Sequence, residues 1–558
     1  MFLQEAPRLG NRLTDDPALV AALRRLLSEQ VWSEVGQDVT GFADRVGGEF
    51  AALQQEAEAQ PPRHVPFDAW GNRVDRVDVS RAWLGLLQLG LENGLVAAAY
   101  ERPGPEGRVL QAALVQVFQP VAAMSTCPMA MSDGAARVLL AHDPALAARY
   151  VPGLTRRTGA LTSGQWMTET PGGSDLARSE VAARPAGNPA GDRWTLHGTK
   201  WFTSATTADI ALALARPEGP AGADPAGLSL FLVELRRPDG SWNDLEVRRL
   251  KDKMGTRALP TAELELRGTT AIPVGGLGRG VAKVATMLNV TRLWTAHGGV
   301  GPAGHLLALA RDYSSRRVAF GRRLSELPIH THWLAELAAT YEAAVALSFQ
   351  AAWLVGAAEV GQGDPMLARI ITPIAKMACA RQSLSVSSEL VESFGGAGYL
   401  EDTGIPVIFR DAHVQVIWEG TSSVMAHDVL RALGRAGVRE AFHADLEQRL
   451  ARADHPGLAD TIADVTKAAA RLRQLTAEAE ETTARPLAWS MALTYEAALL
   501  CEAASQDPGS RRQALAARLF ARRPLIITDS EPESLDVLAY PASPGTEPRR
   551  RDGGRSGG

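Results

Sequence analysis

Apolar residues recur at three- and four-residue spacing in PALVAALRRLLSEQV, which begins at Pro17, and again in SRAWLGLLQLGLENGLVAAAY from Ser80. That is the period of one buried helix face, and it predicts a mostly helical region from Pro17 to about Ala160. Between Leu161 and Pro273 the texture changes to short runs such as RWTLHGTKWFTSA, IALALA, LSLFLVEL and TAELEL, parted by Gly, Pro and Asp clusters. Runs of that length and spacing predict a compact antiparallel β-domain. The helical period returns at Gly280, holds to about Leu433, and reappears in a further block from Arg439 to Arg523. The chain closes on EPRRRDGGRSGG, whose composition predicts disorder. Helix, sheet, helix and helix in that order, without αβ alternation, predict an α+β protein and argue against a doubly wound nucleotide fold. The expected divisions are 1–160, 161–275, 276–435, 436–525 and a disordered 526–558.

At 558 residues the chain exceeds what one core organises. A net charge of -5 leaves no general basic field, so any nucleic-acid contact has to be local. The cysteines, Cys127, Cys379 and Cys501, are odd in number and far apart. They form neither a disulfide framework nor a metal-ligand spacing, and they fit a reducing compartment. No apolar run is long enough to span a bilayer. MFLQEAPRLGNRLTDD has no basic segment followed by an apolar one, so a cytoplasmic placement is expected.

Candidate chemistry lies in short segments, each of which alone has an ordinary explanation. Gly299-Val300-Gly301-Pro302-Ala303-Gly304 spells GxGxxG but follows a helical run, where a dinucleotide fingerprint does not belong. Met167-Thr168-Glu169-Thr170-Pro171-Gly172-Gly173-Ser174-Asp175 combines hydroxyls with a Pro-Gly-Gly turn that can present backbone N–H groups to a cofactor. Phe394 to Tyr399 is a glycine-rich turn, which also suits helix termination. Glu419 stands beside Ile417 and Trp418. A carboxylate there loses hydration, its pKa rises, and it becomes suited to taking a proton from carbon.

Taken in order, six segments resemble the acyl-CoA dehydrogenase flavoprotein family. They are Thr168/Glu169/Gly173/Ser174/Asp175, Trp201/Phe202/Thr203, Asn289/Arg292, Arg317/Phe320/Gly321, Phe394/Gly395/Gly396/Gly398 and Trp418/Glu419/Gly420/Thr421. Within the family the chain is most similar to the AidB-type alkylation-response branch. The features are Phe67-Asp68-Ala69-Trp70-Gly71-Asn72-Arg73-Val74-Asp75, Cys127-Pro128-Met129-Ala130-Met131, Arg249 to Gly255, the Trp-Glu-Gly form of the base motif with Asp428-Val429-Leu430-Arg431 after it, and the extra helical block.

The resemblance implies a helical domain, a β-barrel domain and a helical bundle, with FAD between them in a homotetramer built as a dimer of dimers. It implies flavin contacts from Gln165, Trp166, Met167, Thr168 and Ser174, from Phe202, Thr203 and Ser204, and from Trp418, Gly420, Thr421 and Ser423. Arg317, Phe320, Gly395 and Gly396 would address the adenosine end. Ser174, Asn289, Arg292 and Gly420 would meet an acyl-CoA-like substrate, with Glu419 as base and no metal. Some relatives carry the base on the helix at the position of Thr291, which cannot serve. Asn289, Pro328 and Glu392 depart from the common Asp, Gln and Gln of the family.

In the AidB-type branch the added C-terminal domain is associated with double-stranded DNA. Here that block is roughly balanced in charge except for Arg511, Arg512, Arg518, Arg522 and Arg523. At helical period Arg511, Arg518 and Arg522 share a face. With no base-reading motif, binding to that stripe would be sequence-tolerant and salt-dependent. The leading expectation is an FAD-bound, AidB-like dehydrogenase homologue with a role in alkylation stress. The alternative is a short- or branched-chain acyl-CoA dehydrogenase without a DNA role.

Overall fold

The protein was analysed as a computed structural model that describes residues 5–187, 193–218 and 227–527. Most of the segment read from its sequence as a disordered tail, residues 528–558, lies outside the described residues.

The N-terminal region holds α1 (Pro17–Leu26), α2 (Glu29–Asp44), α3 (Glu49–Ala59), strands β1 (Arg63–Phe67) and β2 (Arg73–Asp78), then α4 (Arg81–Glu92), α5 (Ala98–Glu101), α6 (Pro105–Phe118), α7 (Thr126–His142) and α8 (Pro144–Thr155). Helix starts follow local chemistry. Asp16 caps α1 by accepting from Ala18 N and Leu19 N, and Pro17 occupies the first turn, where it forfeits no bond.

The hairpin β1–β2 corrects the expectation of helix throughout this region. Its turn is set by the Asp68 carboxylate, which accepts from Trp70 N and Asn72 N, and by Gly71 at φ = 84°. The flanking residues are extended because they pair with each other and dock on the β-domain. Val247 N donates to Asp75, and Trp242 Nε1 donates to Asp75 O.

The middle domain contains β3 (Ser163–Trp166), β4 (Ala182–Pro185), β5 (Trp194–Ser204), β6 (Ile210–Pro217), β7 (Ser229–Glu234), β8 (Leu245–Leu250) and β9 (Thr261–Pro273). Pairings run β6–β4–β5–β9–β7 and return from β7 to β6, so the sheet closes on itself, with β3 and β8 added at its sides. It is mostly antiparallel, but β6 pairs in parallel with both β3 and β4. The apolar run of β6, wholly buried from Ile210 to Ala215, lies at this junction.

The helical bundle is α9 (Gly280–Arg316), a two-residue hairpin of β10 (Val318–Ala319) and β11 (Arg322–Arg323), α10 (Pro328–Glu359), α11 (Pro365–Ser393), α12 (Ile405–Gln415) and α13 (Ser422–Leu433). The appended block is α14 (Val438–Arg452), α15 (Ala459–Ala477), α16 (Ala484–Gln506) and α17 (Arg511–Ala521). The GxGxxG string lies inside α9 and serves packing. A Cβ at Gly301 would stand 2.5 Å from Gln116 O, and one at Gly304 would stand 2.5 Å from Tyr341 Oη. Those glycines let α9 approach α6 and α10 closely.

Candidate active site

Glu419 lies in the turn between α12 and α13, at φ = 56°, and Gly420 follows at φ = 109°. A non-glycine residue in the left-handed region costs about 1–3 kcal/mol, so the surroundings must hold it. They do so from three helices. Thr421 caps α13. Lys376 Nζ on α11 donates to Gly420 O, and Arg292 Nε on α9 donates to Glu419 O at 3.3 Å. Arg292 is itself anchored by Asp428 at 2.8 Å, which a second guanidinium, Arg369, grips at 2.6 Å.

The Glu419 carboxylate accepts from the Thr291 hydroxyl at 2.7 Å and from Gln165 Nε2 at 3.5 Å. Burial pushes its pKa above the ordinary value, against the opposing pull of Thr291, Arg292 and Lys376. Burial likewise lowers Lys376 to about 7 and Lys253, which lines the cavity, to about 8. Cys127 also faces the cavity, but burial raises its thiol to about 12, so it is not a thiolate nucleophile near neutral pH.

These groups border a cavity of about 460 Å³ between α7, the β-domain and α9. Gln165, Met167, Thr168, Ser174, Phe202, Ser204, Arg292, Trp418, Glu419, Gly420 and Thr421 all line it. Other expected contacts stand elsewhere. Trp166 is wholly buried, and the Thr203 hydroxyl donates to Ala262 O within the sheet. Asn289 is half-buried, and neither it nor exposed Ser423 is among the lining residues. Phe320, Gly395 and Gly396 are exposed at the outer end of the bundle, where Tyr313, near the end of α9, donates to Phe394 O. Arg317 ends α9 nearby in sequence.

Glu169, carried in the same motif as Thr168, faces inward. It pairs with Lys200 at 2.6 Å and accepts from Glu180 N and Val181 N, which fixes the loop that presents Thr168 and Ser174. Lys376 was not picked out from the sequence, and Lys200 and Lys253 stood there only inside longer segments, with no role of their own. Lys376 and Lys200 reach partners remote along the chain, Gly420 and Glu169, whereas Lys253 donates to nearby Leu259 O and Thr261.

Of the five arginines expected to meet DNA, Arg511, Arg518 and Arg522 are exposed on α17. Arg512 and Arg523 are not available in the same way. Arg512 pairs with Glu342 at 2.5 Å, and Arg523 donates to the Thr340 hydroxyl, so both clamp α17 to α10. Their position on the inner side of α17 follows from the burial of Ala516, Ala517 and Phe520.

A closed sheet between two helical domains, with a half-buried carboxylate on the wall of an amphipathic cavity, gives a cofactor a place beside a candidate base. Family profiles match along the chain: "Adaptive response protein AidB N-terminal domain" at residues 5–158, "Acyl-CoA dehydrogenase, middle domain" at 164–269, "Acyl-CoA dehydrogenase, C-terminal domain" at 278–434, and "Acyl-CoA dehydrogenase 11 C-terminal domain-like" at 437–538. The chain is 39% identical to acyl-CoA dehydrogenase family member 11 of Caenorhabditis elegans, over 94% of this chain and 90% of that protein. It is 32% identical to AidB of Escherichia coli, over 69% and 72%. The crystal structure of C. elegans ACDH-11 in complex with C11-CoA superposes with a TM-score of 0.92 at 37% identity, covering 97% of both chains. The chain belongs to the acyl-CoA dehydrogenase family, with an AidB-type N-terminal domain.

Members of that family are oxidoreductases acting on the CH–CH group of acyl-CoA, and they bind FAD. The cavity fits such a ring system. Gln165 Oε1 is buried without a partner at its edge. Hydroxyls of Thr168, Ser174, Ser204 and Thr261 and apolar faces of Met167, Leu176 and Trp418 supply the polar rim and flat walls a conjugated heterocycle needs.

Proposed function

We propose that this protein is an FAD-dependent acyl-CoA dehydrogenase homologue of AidB type in which Glu419 removes the α-proton of a thioester-bound acyl chain. The observation that carries this reading is the half-buried Glu419, whose carboxylate is raised in pKa by desolvation and fixed by Thr291 at 2.7 Å, on the wall of the cavity. A raised pKa strengthens a carboxylate as a base toward a weak carbon acid. Arg292 and Lys376 hold the turn through Glu419 O and Gly420 O, so the carboxylate keeps its aim. FAD, when bound, supplies the acceptor for the hydride leaving the β-carbon. Gln165, Met167, Thr168, Ser174, Phe202, Ser204, Trp418, Gly420 and Thr421 would hold the flavin, and Arg317, Phe320, Gly395 and Gly396 its adenosine end. Ser174 and Gly420 would also meet the thioester. Arg292 acts as a positioning residue, because its guanidinium is committed to Asp428. The likeness to ACDH-11 crystallised with C11-CoA supports a substrate of medium chain length.

Assembly as a homotetramer is supported by large apolar side chains left in solvent at the outer end of the bundle, with Phe320 94%, Tyr399 88% and Ile329 83% exposed. Three buried thiols suit a reducing cytoplasm, and no helix among the described residues is long and apolar enough to cross a membrane. A second activity, sequence-tolerant binding of double-stranded DNA in alkylation response, is favoured by the AidB-type N-terminal domain and by exposed Arg511, Arg518 and Arg522. The primary test is anaerobic bleaching of the flavin-loaded protein by undecanoyl-CoA, with Glu419→Gln as control. Failure of both proteins to bleach defeats the dehydrogenase reading.

A further inference from the structure

Trp201 and Phe202 are consecutive in β5, and in a regular strand their side chains would point to opposite faces of the sheet. Between Lys200 and Thr203, however, β5 advances three residues while its partner β9 advances two, from Leu264 to Ala262. The extra residue makes a bulge, which bends a strand and re-aims its side chains. Both rings stand around one ammonium group. Lys251 Nζ is 3.3 Å from the centre of the Trp201 ring and 4.7 Å from that of Phe202. Lys251 directly follows β8, and its backbone N–H donates to Thr261 O at 2.8 Å. Its Nζ also pairs with Glu263 at 2.7 Å, and its side chain is only 9% exposed. Arg249 holds the same carboxylate at 2.8 Å with a side chain that is 62% exposed. Lys251 is the enclosed cation of the two.

We infer that Lys251 is a positioning residue for the flavin, holding the Phe202 ring in place on the cavity wall through a cation–π contact. The inference rests on the reading of this cavity as a flavin site. Phe202 lines the cavity and is 48% exposed, so nearly half of its surface has no protein neighbour to fix it. A ring free to turn in solvent must be ordered when a cofactor arrives, and that ordering weakens binding. A cation within about 6 Å of the ring centre supplies the order beforehand, and more strongly where it is shielded from water. Neutralising Glu263 does not require Lys251, because Arg249 already does so. The same bulge ties Trp201 N to Thr168 O at 2.9 Å. One local feature therefore sets both the Phe202 ring and the loop that presents Thr168 and Ser174 to the cavity.

The test uses the full-length, flavin-loaded protein and follows release of FAD after dilution by the rise in flavin fluorescence. Lys251→Met keeps an unbranched stem and removes the charge, while Glu263 keeps Arg249 as its partner. The expected result is FAD release faster by about 5- to 10-fold in Lys251→Met, and within about 2-fold of wild type in Lys251→Arg, which restores the cation. Phe202→Leu should also release FAD faster. Adding Lys251→Met to Phe202→Leu should then change the rate little, because both act through one contact. Melting temperatures close to wild type establish that the variants are folded. If Lys251→Met does not fold, Lys251→Gln takes its place in the same cycle. FAD release from the uncharged variant at the wild-type rate overturns the inference. So does an equal effect of that variant with and without Phe202→Leu, which is what a purely structural role gives. Wild-type protein that holds no FAD overturns the flavin reading itself, and this inference with it.

Discussion

The hydroxyl of Thr291, in the middle of α9, donates to Glu419 Oε2 at 2.7 Å, across 128 positions of sequence. Thr291 thereby orients the carboxylate of the proposed base. Thr291→Val keeps the shape and removes the donor. That hydrogen bond favours the charged carboxylate, so without it the Glu419 pKa should rise further. The base works deprotonated, so the acid limb of kcat/KM against pH should move to higher pH. An unmoved limb would show that the contact is incidental.

Lys376 supplies the other control on the base. Lys376→Met removes the donor to Gly420 O and a cation that stabilises the Glu419 carboxylate. The expected result is a fall in kcat of about 10-fold at neutral pH with KM little changed, and an upward shift of the acid limb. Lys376→Arg, which keeps charge and donors, should recover part of the loss. A pure stability effect would lower the melting temperature without moving the pH profile.

The loop that presents Thr168 and Ser174 to the cavity depends on the Lys200–Glu169 pair, whose side chains are 0% and 2% exposed. Lys200→Met leaves Glu169 buried and uncompensated, a loss of about 3–5 kcal/mol. Chemical denaturation should report that loss, and retention of flavin on purification should fall with it.

Glu496 on α16 is a buried acid with a different consequence. Burial raises its pKa to about 8, and Gln382 Nε2 donates to it at 2.7 Å. The folded state therefore binds a proton that the unfolded state has released between the ordinary glutamate value of 4.5 and about 8. Its stabilising contribution is present below that window and is lost as pH rises through it, at up to about 1.4 kcal/mol per pH unit. Glu496→Gln should flatten the decline of melting temperature from about pH 5 to about pH 9. A variant with the wild-type slope would place the titration elsewhere.

The arginines of α17 divide into two kinds, and the division is measurable. Substituting Arg511, Arg518 and Arg522 together by Gln should weaken retention of duplex DNA and flatten its salt dependence, with no change in melting temperature. Arg512→Met should instead destabilise the protein by about 1–3 kcal/mol, because it strips Glu342 of its partner.

The helix–sheet–helix order was legible because the apolar period changes from helical to alternating near Leu161 and back near Gly280. Glu419 was legible because its motif is contiguous. The hairpin β1–β2 was missed, since its extended form depends on contacts with Val247 and Trp242 far along the chain. Lys376 and Lys200 were missed for the same reason. Nothing local distinguishes a lysine that will reach a buried carbonyl from one that will reach water. Five arginines close in sequence could not reveal that two of them face α10.

The central claim is that Glu419 removes the substrate α-proton. Its most direct test is stopped-flow anaerobic mixing of the flavin-loaded protein with undecanoyl-CoA, comparing wild type with Glu419→Gln. The account predicts rapid bleaching of the flavin by wild type. Glu419→Gln should bind the thioester but bleach slower by about 100-fold or more. Bleaching by Glu419→Gln at the wild-type rate would contradict it.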